Sequence, residues 1–131
     1  MSSTASAETA ESRLARVKRI GSMILTHIGR KSGKAYQVRI WFTVDGDHIN
    51  LQTMNMKRQW IHNVLANPKV SLRIGDEVFE GSATPVTDPS DMQRIVELMK
   101  RKYPISLPYL WLKKQPAGAF HVCLEQAGSR A

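Results

Sequence analysis

The chain has 131 residues, 42% of them hydrophobic, which suits one domain with one modest core. Cys123 is the only cysteine, so no intrachain disulfide framework is available, and a buried structural role is expected for it in "FHVCLE". Nineteen Lys and Arg against eleven Asp and Glu give a formal charge of +8. That field calls for an anionic partner: nucleic acid, an acidic lipid surface, or a phosphorylated or carboxylated small molecule. No apolar run reaches the roughly 20 residues of a membrane span and no signal-peptide core is present, so a cytoplasmic protein is expected.

In chain order, residues 1–12 are rich in Ser, Thr and Ala and read as a flexible tail. A single domain is expected over 13–126, with 127–131 as a C-terminal tail. A short helix is expected over Arg13–Ile20, and strands over Ser22–Ile28 and Ala35–Val44. In the second strand Tyr36, Val38, Ile40 and Phe42 alternate with Gln37, Arg39 and Trp41. Asp45-Gly46 marks a hairpin into a third strand, His48–Thr53.

In "MNMKRQWIHNVLANPKV", Asn55 reads as an N-cap, and Trp60, Ile61, Val64 and Leu65 as the apolar face of a helix. Asn67-Pro68 stops that helix, because proline disfavours helical geometry in the residue before it. Strands over Lys69–Ile74 and Glu77–Val86 follow, joined by a tight "GDE" turn. Asp88-Pro89 supplies a cap and a first-position proline for a helix lined by Met92, Ile95, Val96 and Met99. Its basic end, "KRKYP", complements the helix dipole and serves stability. The proline-punctuated "YPISLPYLWLKKQP" reads as a loop before a last strand, Ala119–Leu124. Short antiparallel strands with two or three helices indicate an α+β domain built on a small barrel.

Two basic clusters stand out. "GRKSGK" sets Arg30, Lys31 and Lys34 in a turn whose glycines and Ser32 offer backbone and hydroxyl donors. The spacing is not that of a P-loop, and a strand rather than a helix follows. A solvated hairpin tip and an anion site both fit this cluster taken alone. Lys57 and Arg58 sit at the start of the next helix, where the dipole disfavours cations unless an anion is bound there. The two clusters at strand ends converge on one side of a barrel.

The histidines (His27, His48, His62 and His121) have no metal-ligand spacing, and Ser32 has no evident triad partners, so no metal and no side-chain catalyst is assigned. That points to chemistry carried by a bound cofactor. Trp60 is expected in the core. Trp41, on the strand face opposite Val38 and Ile40, is a candidate pocket wall for a planar ring.

"LTHIGRKSGKAYQVRIWF" followed by "WIHNVLANPKVSLRIGDEVFEGSATPV" resembles the deazaflavin-dependent nitroreductase and quinone reductase family of actinobacteria. Members of that family carry a Gly-Arg-Lys-Ser/Thr-Gly turn and a downstream Asn-Leu-x-Ala-Asn-Pro-x-Val segment, to which "GRKSG" and "NVLANPKV" correspond here. The resemblance covers Ile24–Asp88 most strongly. It implies a split β-barrel related to the FMN-binding pyridoxamine-phosphate-oxidase fold, and coenzyme F420, with its phosphate and oligoglutamate tail, as the ligand.

By that similarity Arg30, Lys31 and Ser32 hold the phosphate and tail. Gln37, Val38, Arg39 and Trp41 run along the cofactor, and Gln52, Thr53, Met54 and Asn55 lie near the ring. The segment Gln59–Asn63 closes over it, with Trp60 and Asn63 the best-matched positions, and the cations Lys57 and Arg58 singled out above are the cofactor-binding candidates just before it. Trp41 and Tyr109 are the substrate-side candidates. The implied reaction is hydride transfer from reduced F420 to a quinone, enone or nitro compound.

The chain reads Tyr36-Gln37-Val38-Arg39-Ile40 where the family commonly has Arg-x-x-Pro-Leu, and lacks the His-Pro before Trp60. Three alternatives stay open: an FMN- or haem-binding split barrel, a basic nucleic-acid-binding module, and a non-catalytic cofactor carrier. Related split barrels often dimerise, so a homodimer is a further expectation.

Overall fold

The structure, a computed structural model, describes residues 9–113 and 115–125. Of the tail expected over 1–12, residues 1–8 lie outside the described residues, whereas Thr9 caps a helix that already includes residues 10–12; the tail expected over 127–131 lies outside the described residues. Seven antiparallel strands form one sheet: β1 (Met23–Ile28), β2 (Ala35–Ile40), β3 (Phe42–Asp45), β4 (His48–Thr53), β5 (Lys69–Ile74), β6 (Glu77–Pro85) and β7 (Gly118–Leu124). Their order is β2-β1-β5-β6-β7-β4-β3.

The strand expected over Ala35–Val44 is therefore two strands on opposite edges of the sheet, joined by Trp41 alone. Seven strands laid flat would span about 29 Å at ~4.8 Å per strand. Ile40 and Phe42 are two residues apart and at most about 7 Å apart along the chain. The sheet must curl until its edges meet at Trp41, which makes it a split β-barrel. Ile40 and Phe42 both point inward, so the two-residue alternation runs unbroken through the crossing. Trp41 points outward and stacks on Tyr103, with ring centroids 4.3 Å apart and 3° between planes.

Tyr103 fastens this crossing. Its hydroxyl donates toward the carbonyls of Gly21 and Phe42, each at 2.8 Å, and accepts from the Phe42 N–H at 3.1 Å. Burial pushes its phenol up to about 12, so it stays a neutral donor. Lys102 donates to the same Phe42 carbonyl at 3.0 Å, with its ammonium 3.4 Å from the Phe42 ring centroid. Burial pushes that ammonium down to about 8.

Four helices complete the domain: α1 (Ala10–Val17), α2 (Gln59–Ala66), α3 (Pro89–Lys102) and α4 (Leu107–Lys113). The first starts three residues earlier than expected, because the Thr9 side chain accepts from the Ser12 N–H and caps it there. Asp88 caps α3 as expected, accepting from the Ser90 N–H.

α4, preceded by a 3₁₀ turn at Pro104–Ser106, replaces the expected loop. Pro108 is only its second residue, where a missing N–H costs no helical hydrogen bond. Cys123 is exposed, against expectation, because β7 turns Phe120 and Val122 inward and Cys123 outward.

The core has two parts. Leu25, Phe42, Leu51, Ile61, Leu72 and Phe120 belong to the barrel interior, which α1 and α2 close with Leu14 and Trp60. Ile95, Val96, Met99, Leu110 and Ala119 form a second cluster, where α3 and α4 cover the outer side of the sheet. No described helix is long and apolar enough to cross a membrane.

Candidate functional site

The hydrogen bonds of β1 place Ile28 opposite Ala35, so the chain between them must reverse over Gly29–Lys34. Gly29 N–H donates to the Lys34 carbonyl at 2.8 Å, and Gly33 N–H to the Gly29 carbonyl at 2.9 Å. Gly33 has φ of 73°, a left-handed geometry that glycine adopts without a steric cost. Gly29 is needed for space: a Cβ there would lie 2.7 Å from both Ser32 Oγ and Tyr36 Cε2. Ser32 Oγ accepts from the Lys34 N–H at 3.2 Å and lies 3.2 Å from the Tyr36 hydroxyl. The turn is thus folded on itself, with Arg30, Lys31 and Lys34 all exposed.

α2 begins at Gln59 rather than near Met56, and Arg58 is its N-cap with extended geometry and no side-chain cap. Asn55 instead accepts from the Lys57 N–H at 2.9 Å, and Thr53 Oγ1 accepts from the Asn55 N–H at 3.1 Å. Both polar side chains are spent on the turn that leads into the helix. Within α2, Trp60, Ile61, Asn63 and Val64 are buried, whereas Leu65 is half exposed. Asn63 therefore takes the place on the inner face that Leu65 was expected to fill.

Asn63 joins the two basic clusters. Its Oδ1 accepts from the Arg30 backbone N–H at 3.1 Å and from Arg30 Nη1 at 2.7 Å. Two donors on the oxygen fix the amide orientation, so Nδ2 donates to His27 Nδ1 at 3.0 Å. His27 must then be neutral, with its proton on Nε2. Burial acts in the same direction, lowering the imidazole below its ordinary value. The His27 ring also stacks near Tyr36, with centroids 6.0 Å apart.

A cleft of about 790 Å³ opens over this triad of side chains. Arg30, Lys31 and Arg58 supply positive charge to its walls, and no carboxylate lines it. Trp60 reaches it from the core, where its ring lies 5.8 Å from that of Phe120. Ser32, Gln37, Val38 and Asn63 also line it.

The other sequence candidates lie elsewhere. Arg39 sits on the outer face of β2, its Nη1 donating to Ser22 Oγ at 3.1 Å. Trp41 is engaged with Tyr103. Gln52 is buried, its Nε2 donating to Thr43 Oγ1 at 2.6 Å and to the Asn50 carbonyl at 3.1 Å. Thr53, Asn55 and Lys57 belong to the turn before α2, and Met54 and Tyr109 pack on the second core cluster.

Sequence reasoning missed His27, Gly29 and Tyr36 as lining residues, whereas Gln59, the first residue of the segment expected to close over the cofactor, does line the cleft. The signal for His27 was present: it follows Met23 and Leu25 on the inward parity of β1, and a polar group on an apolar face requires a partner. No described group of His, Cys, Asp or Glu is disposed to hold a metal ion.

Among solved structures, an F420H2-dependent reductase (FDR-A) is 23% identical, with a TM-score of 0.65, over 78% of this chain and 93% of its own. A pyridoxamine 5'-phosphate oxidase-like protein from Listeria innocua is 20% identical with a TM-score of 0.68, over 89% and 94% of the two chains. A domain-swapped dimer is 24% identical with a TM-score of 0.64, over 78% and 79%. These likenesses establish the split-barrel fold. No curated protein matches the chain significantly. The profile of the F420H(2)-dependent quinone reductases matches residues 3–109. The chain therefore belongs to the F420H(2)-dependent quinone reductase family, a family of oxidoreductases.

Proposed function

We propose that the protein is a deazaflavin-dependent reductase that binds coenzyme F420 in the cleft between the Gly29–Lys34 turn and α2, and reduces an electron-poor small molecule such as a quinone, enone or nitro compound. The observation that carries this reading is the wall of Arg30, Lys31 and Arg58 with no carboxylate among the lining residues. A ligand with a phosphate and several carboxylates at one end supplies the missing negative charge.

Bound there, the cofactor supplies a hydride to the acceptor. The chain's own part is binding and orientation. Arg30 is held toward the cleft by Asn63, so part of its conformational freedom is lost before any ligand arrives. Lys31 and Arg58 face the anionic end, and Ser32 and the turn N–H groups can donate to phosphate oxygens. His27 keeps its proton on Nε2, a neutral donor at the cleft wall, while Trp60 and Tyr36 offer aromatic faces. Trp41, Gln52 and Tyr109 lie outside the lining of this cleft and make their contacts elsewhere.

The pH dependence follows from His27. Its folded pKa lies below its unfolded value of about 6.5. The contribution of the neutral ring is complete above that value and is lost as pH falls through the folded pKa. Protonating Nδ1 also removes the acceptor that Asn63 Nδ2 needs. Stability and F420 affinity should therefore fall together on acidification below about 6.5, and His27→Gln should flatten both profiles. Denaturation and cofactor titrations at stepped pH check this.

A homodimer is part of the same reading. The free edges of β2 and β3 flank the crossing at Trp41, and unpaired edges invite strand exchange. Sedimentation of the pure chain as a monomer at all concentrations would remove that element.

The functional test is oxidation of reduced F420 in the presence of menadione. Acceptor-dependent turnover is expected. Saturable cofactor binding without turnover on any acceptor class would leave a carrier, and tight FMN binding without F420 binding would replace the cofactor.

A further inference from the structure

α4 is amphipathic in an unusual sense. Leu110 is buried and Tyr109 packs on the second core cluster, so one side of the helix is anchored to the body. The other side carries large apolar residues into solvent: Leu107 is 43% exposed, Trp111 80% and Leu112 70%, and Ile105 just before the helix is 78% exposed. Single exposed apolar residues are ordinary, but four within eight consecutive positions form a patch that needs a partner.

The surroundings indicate which partner. Lys100, Arg101 and Lys113 are exposed and flank the apolar positions along the chain. The chain from Leu98 to Leu124 contains no Asp or Glu. A second copy of this chain is a poor occupant of this patch, since Lys100, Arg101 and Lys113 of one copy would meet the same cations of the other with no carboxylate from Leu98 to Leu124 to pair them, which leaves a dimer through the sheet edges unaffected. Nucleic acid would match the cations but leave Ile105, Trp111 and Leu112 in water. A bilayer with anionic headgroups satisfies both features: cations at the headgroups and apolar side chains among the upper acyl segments, where tryptophan is favoured.

We propose that the protein docks peripherally on anionic lipid bilayers by inserting Ile105, Leu107, Trp111 and Leu112 at the membrane interface, with Lys100, Arg101 and Lys113 on the headgroups. The docking requires neither the cofactor nor turnover. Its consequence for the proposed function is access to an apolar acceptor dissolved in the membrane.

The full chain is sedimented with vesicles of phosphatidylcholine alone or mixed with phosphatidylglycerol, and Trp111 depth is read by quenching with brominated lipids. Binding to the anionic vesicles only, weakened by added salt, is expected. Trp111→Ala combined with Leu112→Ala should lower partitioning by about tenfold or more. Val78→Glu, on the exposed face of β6, should bind as the wild type does. No binding to anionic vesicles, or binding that the double variant leaves unchanged, overturns the proposal. So does a vesicle-independent dimer, or a complex with another protein, that the double variant dissociates. F420 titration of the same double variant should be unaltered, which separates this surface from the cleft.

Discussion

Asn63→Ala is expected to cost about 1–3 kcal/mol of stability and to weaken F420 binding by at least about tenfold. Asn63 is 5% exposed, and it is the only side chain hydrogen-bonded to both Arg30 and His27 among the described residues. Truncation leaves His27 Nδ1 buried without a donor, which carries the stability cost. It also frees Arg30 and the turn from α2, which carries the affinity cost. Asn63→Asp separates the two effects. An aspartate can still accept from Arg30 but cannot donate to neutral His27, so the imidazole should take up a proton and its titration should move upward. Chemical denaturation gives the first number, cofactor titration the second, and histidine NMR the third. Stability loss with unchanged affinity would place the ligand elsewhere.

Lys31→Glu is expected to weaken F420 binding by roughly tenfold to hundredfold while moving stability by no more than about 0.5 kcal/mol. Lys31 is exposed and has no carboxylate partner among the described residues, so the folded protein loses nothing by its removal. The effect should shrink as salt rises, because the cleft is open to solvent. Arg58→Glu should behave alike, and the two changes together should be additive if the residues face separate anionic groups and less than additive if they share one. Affinities of the single and double variants at two ionic strengths check this.

Much of the frame was legible from local chemistry. The paired turns at Gly46 and Gly75, the Asp88-Pro89 start of α3 and the stop at Asn67-Pro68 each follow from backbone geometry that those residues favour. The strand break at Trp41 was not legible, and the reason is physical. Ile40 and Phe42 are both inward, so the sequence keeps its period of two across a point where the chain changes edges. Tyr103, far along the chain, is what fastens the crossing.

α4 was hidden because its prolines fall where they do no harm, before the helix and within its first turn. The site divides along the same line. The cations of the turn and of Arg58 announced themselves by charge out of place. Asn63 was named only through the family resemblance, and its link to His27, which reads as an ordinary core position, waits on the sheet that brings the two within 3.0 Å. Within Gln52–Asn55 every side chain is already engaged: Gln52 with Thr43 and Asn50, Thr53 with Asn55, Asn55 with Lys57, and Met54 on the second core cluster.

The central claim is that the basic cleft holds the acidic end of a deazaflavin. It is tested most directly by titrating the full chain with F420 and following fluorescence, with Lys31→Glu and FMN as parallel titrations. The account predicts saturable quenching by F420, a clear loss in the variant and a weak response to FMN. F420 binding that Lys31→Glu leaves untouched, or no F420 binding at all, would contradict it.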